Sequence, residues 1–71
     1  MMWVDEYHLD KGFESVWKGW RVWSFYDKDK MKYAVEGPEP YGSTISGFRT
    51  PEAAKTAAEN LQRIMDGEWD D

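Results

Sequence analysis

The 71-residue sequence contains no cysteine, a single histidine and no long apolar run. Without cysteine, neither a disulfide framework nor a cysteine-based zinc site can reinforce the fold. No segment approaches the ~20 apolar residues that a transmembrane helix needs, and the first residues lack the basic and apolar regions of a signal peptide. We therefore expect one soluble domain over residues 1–71, located in the cytoplasm.

Side chains that carry common catalytic chemistry are equally scarce. His8 lies near the N-terminus, where so short a chain can hardly build the rigid surroundings of a Ser-His-Asp arrangement. The sequence has no phosphate-binding or dinucleotide-binding glycine motif, and residues 27–32 lack the third acid and the glycine of a calcium loop. We therefore expect a non-catalytic protein with no cofactor and no metal site.

Negative charge predominates, with a net charge of −5, which disfavours a generally cationic nucleic-acid binder. The charge is unevenly placed, because residues 18–49 hold six basic and four acidic side chains while acids predominate on either side. Residues 67–71 are expected to form a solvated acidic tail. Within it, Trp69 and Asp70 are candidates for contact with a basic partner surface.

Aromatic side chains are abundant, with five Trp, four Tyr and three Phe. They are concentrated in segments that are typical of β-strands and are separated by short polar connections. The expected strands are residues 13–17, 20–26, 31–36 and 43–48. Lys18-Gly19 suits a two-residue hairpin connection, and residues 27–30 suit a four-residue one.

A helix is predicted at residues 50–66. Thr50 is a good N-cap, Pro51 fits the first helical position, and Gly67 suits the position after the helix. Apolar residues recur at the spacing of one buried helix face at Ala54, Ala57, Ala58, Leu61, Ile64 and Met65. The fold class is therefore α+β: a three- to four-stranded antiparallel meander sheet packed on one C-terminal helix, with residues 1–12 as an N-terminal segment.

The hairpin lengths also predict which side chains share a face. They place Trp17 opposite Trp20 and Tyr26 opposite Met31. The face that the helix should cover carries Phe13, Trp17, Trp20, Val22, Tyr26, Met31, Tyr33 and Val35. The other face carries Glu14, Val16, Arg21, Trp23, Phe25, Lys32, Ala34 and Glu36.

Trp23 and Phe25 lie at the centre of this second face, where a domain with one helix has little left to cover them. Residues 1–10 could fold back over the pair with an apolar side chain. Alternatively, the pair could form a partner-binding face, since an aromatic patch flanked by charge resembles an interface hot spot. Both interpretations stay open at the level of sequence.

Residues 20–65 contain a series of short motifs in a characteristic order: Trp20-Arg21-Val22, a charged turn, Tyr33-Ala34-Val35, and Gly47-Phe48-Arg49-Thr50 leading into a helix. This pattern resembles the arm-binding domains of phage and transposon tyrosine recombinases. It is also similar to ethylene-response-type DNA-binding domains and to small phage-encoded proteins of that shape. The resemblance implies a three-stranded antiparallel sheet on one C-terminal helix, with DNA bound by the exposed sheet face.

We therefore expect a small acidic protein-interaction module, one form of which is a phage-encoded inhibitor of a host or CRISPR-type nucleic-acid-binding complex. Its partner would be a protein with a basic surface. The candidate partner-binding residues are Trp23, Phe25, Arg21, Lys32, Trp69 and Asp70. Two alternatives stay open: a nucleic-acid-binding module of the recombinase arm-binding type, and a homodimeric structural subunit joined through its aromatic sheet face.

Overall fold

The computed structural model describes residues 3–10, 12–38 and 44–67. The elements are strands β1 (Val4–His8), β2 (Gly12–Trp17), β3 (Trp20–Asp27), β4 (Lys30–Glu36) and β5 (Thr44–Phe48), followed by helix α1 (Pro51–Met65). All the strands form one antiparallel sheet in which the spatial order follows the chain order. The prediction of an α+β meander with one C-terminal helix is confirmed, with five strands rather than three or four.

The additional strand is β1, which the sequence pattern did not predict. It pairs with β2 from Val4 opposite Val16 to His8 opposite Gly12. Its position at the edge of the sheet accounts for the weak hydrophobic pattern, since α1 packs on β3, β4 and β5 and leaves the side chains of β1 largely exposed. The N-terminal segment therefore extends the sheet sideways instead of lying across it.

Both central hairpins close with two-residue turns. Lys18 and Gly19 have φ values of 50° and 85°, and positive values at both positions are what a type I′ turn requires. The β3–β4 connection is tighter than the four residues we expected, because Asp27 pairs with Lys30 and only Lys28 and Asp29 remain in the turn. The register of β3 and β4 is the one we expected, because the additional pair of Asp27 with Lys30 continues the alignment of Tyr26 with Met31.

The predicted register is confirmed. Trp17 lies opposite Trp20, and Tyr26 lies opposite Met31. The expected division of side chains between two faces follows from this pairing, because side chains alternate along each strand.

The core lies between α1 and one face of the sheet. Its buried members are Trp3, Phe13, Trp20, Val22, Val35, Ala54 and Ala58. Ala54 and Ala58 present only methyl groups, so the helix axis can approach the sheet closely. The indole Nε1 of Trp20 donates a hydrogen bond of 2.7 Å to Gln62 Oε1, which gives this buried polar group a partner.

The local signals at both ends of the helix are confirmed. Thr50 Oγ1 accepts a hydrogen bond of 3.1 Å from the Ala53 amide, and Pro51 opens the helix. Gly67 has a φ of 79°, and its amide donates to the carbonyl of Ile64 at 3.1 Å. Within residues 3–10, 12–38 and 44–67, no helix is long and apolar enough to cross a membrane.

The helix covers only part of its sheet face. The helix begins at Pro51, beside Phe13 and Tyr33, and runs from there toward Trp20, which it contacts through Gln62. Tyr26 and Met31 lie beyond the start of the helix and are 72 % and 43 % exposed. The expectation that the helix covers these two residues is therefore wrong.

Candidate interaction surface

The sheet face opposite α1, here called the open face, is formed by alternate residues of all the strands. One row across the strands holds Val4, Val16, Arg21, Glu36 and Thr44, and the next row holds Glu6, Glu14, Trp23, Ala34 and Ser46. Phe25 and Lys32 form a cross-strand pair beyond these rows. Of the elements that the structure describes, none packs on the open face, since α1 lies on the other side.

Trp23 and Phe25 lie on β3, the central strand, and both are half-buried. The guanidinium carbon of Arg21 lies 4.7 Å from the centre of the Trp23 ring, which is cation–π geometry. Residues 4–8 lie beside β2 and do not reach over β3. The alternative in which the N-terminal segment covers the aromatic pair is therefore wrong for residues 3–10, and Trp3 is buried on the helix side instead.

The two basic candidates on this face are already paired with acids. Arg21 Nε donates a hydrogen bond to Glu14 Oε2, and Arg21 Nη1 lies 3.7 Å from Glu36 Oε1. Lys32 Nζ donates to Asp27 Oδ2 at 3.0 Å. The neighbouring carboxylates therefore weaken the attraction of either cation for a phosphate group.

Glu14 is the acid at the centre of this network. The hydrogen bond from Arg21 lowers the pKa of Glu14 below its ordinary value, and His8 acts in the same direction, while desolvation opposes both. Glu14 is therefore ionised at neutral pH. A charged carboxylate therefore lies beside Trp23, the cross-strand partner of Glu14.

Two valines that we did not select from the sequence extend the apolar area of this face. Val4 and Val16 are cross-strand partners, 58 % and 42 % exposed. They lie next to the row that contains Trp23. In the sequence, Val4, Glu6 and His8 alternate with Asp5 and Tyr7, as they would on the two faces of a strand. The face that carries Val4 can be recognised as part of the open face only once β1 is known to pair with β2.

A second apolar area lies on the helix side, at the end of the sheet that α1 leaves uncovered. Its exposed members are Tyr7, Tyr26 and Met31. It contains none of the predicted site residues. Of the remaining candidates, Trp69 and Asp70 lie outside the described residues, so the structure brings together only Arg21, Trp23, Phe25 and Lys32.

Comparison with known proteins found no matching family model, no significantly similar curated protein and no significantly similar solved structure. The resemblance to recombinase arm-binding domains stays a prediction. The function has to be argued from the residues of the open face themselves.

Proposed function

We propose that this chain is a non-catalytic protein-interaction module that binds a basic protein surface through its open face. The observation that carries the proposal is the position of Trp23 and Phe25 on the central strand, with no described element over them. Tryptophan is enriched at the energetic centres of interfaces, where a ring of surrounding contacts excludes water. On the open face Val4 and Val16 provide apolar contacts around that centre.

The charge of the chain supports a basic partner. Carboxylates outnumber cations by one on the open face, with Glu6, Glu14, Asp27 and Glu36 against Arg21, Lys30 and Lys32, and the net charge of the chain is −5. Complementary charge speeds association and selects among partners, while desolvated aromatic side chains slow dissociation. A more specific form of the proposal is an inhibitor that occupies the nucleic-acid-binding surface of its partner, because such surfaces are basic.

The first test asks whether Trp23 serves the interface or the core. We expect the Trp23→Ala variant to stay folded and to lose about 1 kcal/mol of stability, most of it the cation–π contact with Arg21. The matched control is Tyr26→Ala, which removes an exposed aromatic ring from the same strand but from the helix side. If the Trp23→Ala variant unfolds, Trp23 belongs to the core and the proposed site is wrong.

The second test uses the same two variants to identify and measure binding. A partner recovered by the wild-type chain should be lost with Trp23→Ala and retained with Tyr26→Ala. With the purified partner, Trp23→Ala should raise the Kd at least tenfold, which corresponds to about 1.4 kcal/mol. Added salt should slow the association of the wild-type chain.

Three outcomes would contradict the proposal. If Tyr26→Ala lost the partner as fully as Trp23→Ala, the interface would include the helix side of the sheet. Tight, salt-sensitive binding of labelled duplex or single-stranded oligonucleotides, weakened by Arg21→Gln, would favour the nucleic-acid-binding alternative. A dimer in analytical ultracentrifugation that Trp23→Ala abolishes would favour the homodimeric alternative.

A further inference from the structure

Two glutamates and the single histidine meet at the edge of the open face. Glu6 and Glu14 are direct cross-strand partners on β1 and β2, and His8 lies two residues after Glu6 on the same face. The imidazole Nε2 of His8 is 3.3 Å from Glu14 Oε1 and 3.6 Å from Glu6 Oε1. One nitrogen and two carboxylate oxygens therefore point at the same small volume, within 4.8 Å of one another.

The surroundings of His8 Nε2 are unusual for a polar atom. The atom itself is inaccessible to solvent and makes no well-aligned hydrogen bond, although Glu14 Oε1 is 3.3 Å away and the His8 side chain is 35 % exposed. Buried polar atoms in proteins almost always have a partner. In addition, two carboxylates placed directly opposite each other on neighbouring strands repel. A cation bound between the three groups would satisfy the nitrogen and relieve the repulsion.

We propose that Glu6, His8 and Glu14 form a binding site for a zinc ion. Ligand atoms bound at 2.0–2.2 Å around a tetrahedral zinc lie about 3.3–3.5 Å apart, close to the distances from His8 Nε2 to the two carboxylates. An imidazole together with carboxylates suits a first-row transition metal such as zinc, whereas calcium and magnesium prefer oxygen ligands alone. Three protein ligands leave the fourth position to water.

The neighbouring residues favour metal binding at this place. Arg21 holds Oε2 of Glu14, which turns Oε1 toward His8, and hydrogen bonds of this kind orient metal ligands. Glu6 and Glu14 also contribute to the charge of the open face, but this inference does not depend on the proposed function, because its test measures zinc binding and not partner binding.

The test is calorimetric titration of the full chain with zinc chloride in a buffer that does not bind zinc. We expect one ion per chain and at least tenfold weaker binding for His8→Gln and for Glu6→Gln. The matched control is Glu52→Gln, which removes an equal charge from an exposed position in the first turn of α1. Far-UV circular dichroism establishes that each variant is folded.

A second readout follows His8 directly, because the chain has a single histidine and its imidazole resonances need no separation from others. Saturable shifts of these resonances at one equivalent of zinc, absent with an equal amount of magnesium, would support the site. Unchanged zinc binding in the His8→Gln variant would overturn the proposal, because the ion would then bind other acids. Absence of zinc binding would also overturn it and leave His8 as an ion-pair partner of the two glutamates.

Discussion

The indole Nε1 of Trp3 donates a hydrogen bond of 2.8 Å to Glu59 Oε2, so the first described residue of the chain is tied to the middle of the helix. Trp3 is only 8 % exposed, and its ring centre lies 5.3 Å from that of Trp17. Strand β1 is thus anchored at its beginning by a core side chain. This anchor explains why the N-terminal segment lies beside β2 and leaves the open face uncovered.

Truncation of Trp3 should therefore destabilise the whole domain. Trp3→Ala removes a buried aromatic ring and leaves Glu59 without its donor, so we expect a loss of about 3 kcal/mol in the free energy of unfolding. Urea denaturation followed by circular dichroism measures this loss. The control is Tyr7→Ala on the same strand, where the exposed ring should cost about 0.5 kcal/mol. Equal effects of the two variants would contradict the anchoring role of Trp3.

The turn between β2 and β3 should depend on a glycine for two separate reasons. Gly19 has a φ of 85°, and a Cβ atom placed on it would lie 2.8 Å from Cβ of Pro38. Gly47 has a φ of 97°, but a Cβ atom placed on it would have no heavy atom within 4 Å. Gly19→Ala should therefore cost about 1 kcal/mol more than Gly47→Ala, because both variants strain the backbone but only the first creates a clash. Urea unfolding midpoints of the two variants test this, and equal losses would show that Pro38 moves away freely.

Much of the fold was predictable because its signals are local. The length of the Lys18-Gly19 connection determined how β2 and β3 align, and Thr50 and Gly67 marked the ends of the helix. Strand β1 was not predictable in this way. Residues 4–8 carry mixed charge and little apolar surface, and their conformation depends on pairing with β2 and on the burial of Trp3.

The same distinction applies to the candidate sites. Alternation along β3 was enough to place Trp23 and Phe25 on one face. The cluster of Glu6, His8 and Glu14 depends on the pairing of two strands, and a sequence pattern that does not show the pairing cannot show the cluster. For the same reason Val4 became visible as a member of the open face only in the structure, whereas the register of β2 and β3 had already placed Val16 there.

Asp5 should link the stability of the domain to pH. Its carboxylate accepts a hydrogen bond of 2.6 Å from the hydroxyl of Ser15, which is fully buried, and one of 2.9 Å from Lys55 Nζ. These bonds lower the pKa of Asp5 from its ordinary value of 3.8. Because the folded state releases this proton more readily than the unfolded state, the contribution of Asp5 to stability is full above pH 3.8 and is lost as the pH falls through the folded pKa.

We therefore expect Asp5→Asn to be less stable than the wild-type chain at pH 7, with the difference narrowing as the pH falls below about 4. Urea denaturation at a series of pH values measures the difference. Asp29→Asn, in the exposed turn between β3 and β4, serves as the control and should show a smaller difference at every pH. A difference for Asp5→Asn that stays constant with pH would show that its ionised form is not the stabilising one.

Arg21 should control the ionisation of Glu14. Donation from Arg21 is the main cause that lowers the pKa of Glu14, while desolvation raises it. In an Arg21→Gln variant the desolvation remains and His8 alone opposes it, so the pKa of Glu14 should rise toward its ordinary value of 4.5. Titration of the Glu14 carboxyl carbon by NMR measures this pKa. The control is Lys32→Gln, which removes a cation paired with Asp27 and should leave the pKa of Glu14 unchanged. An unchanged pKa in the Arg21→Gln variant would mean that His8, and not Arg21, holds Glu14 in its charged form.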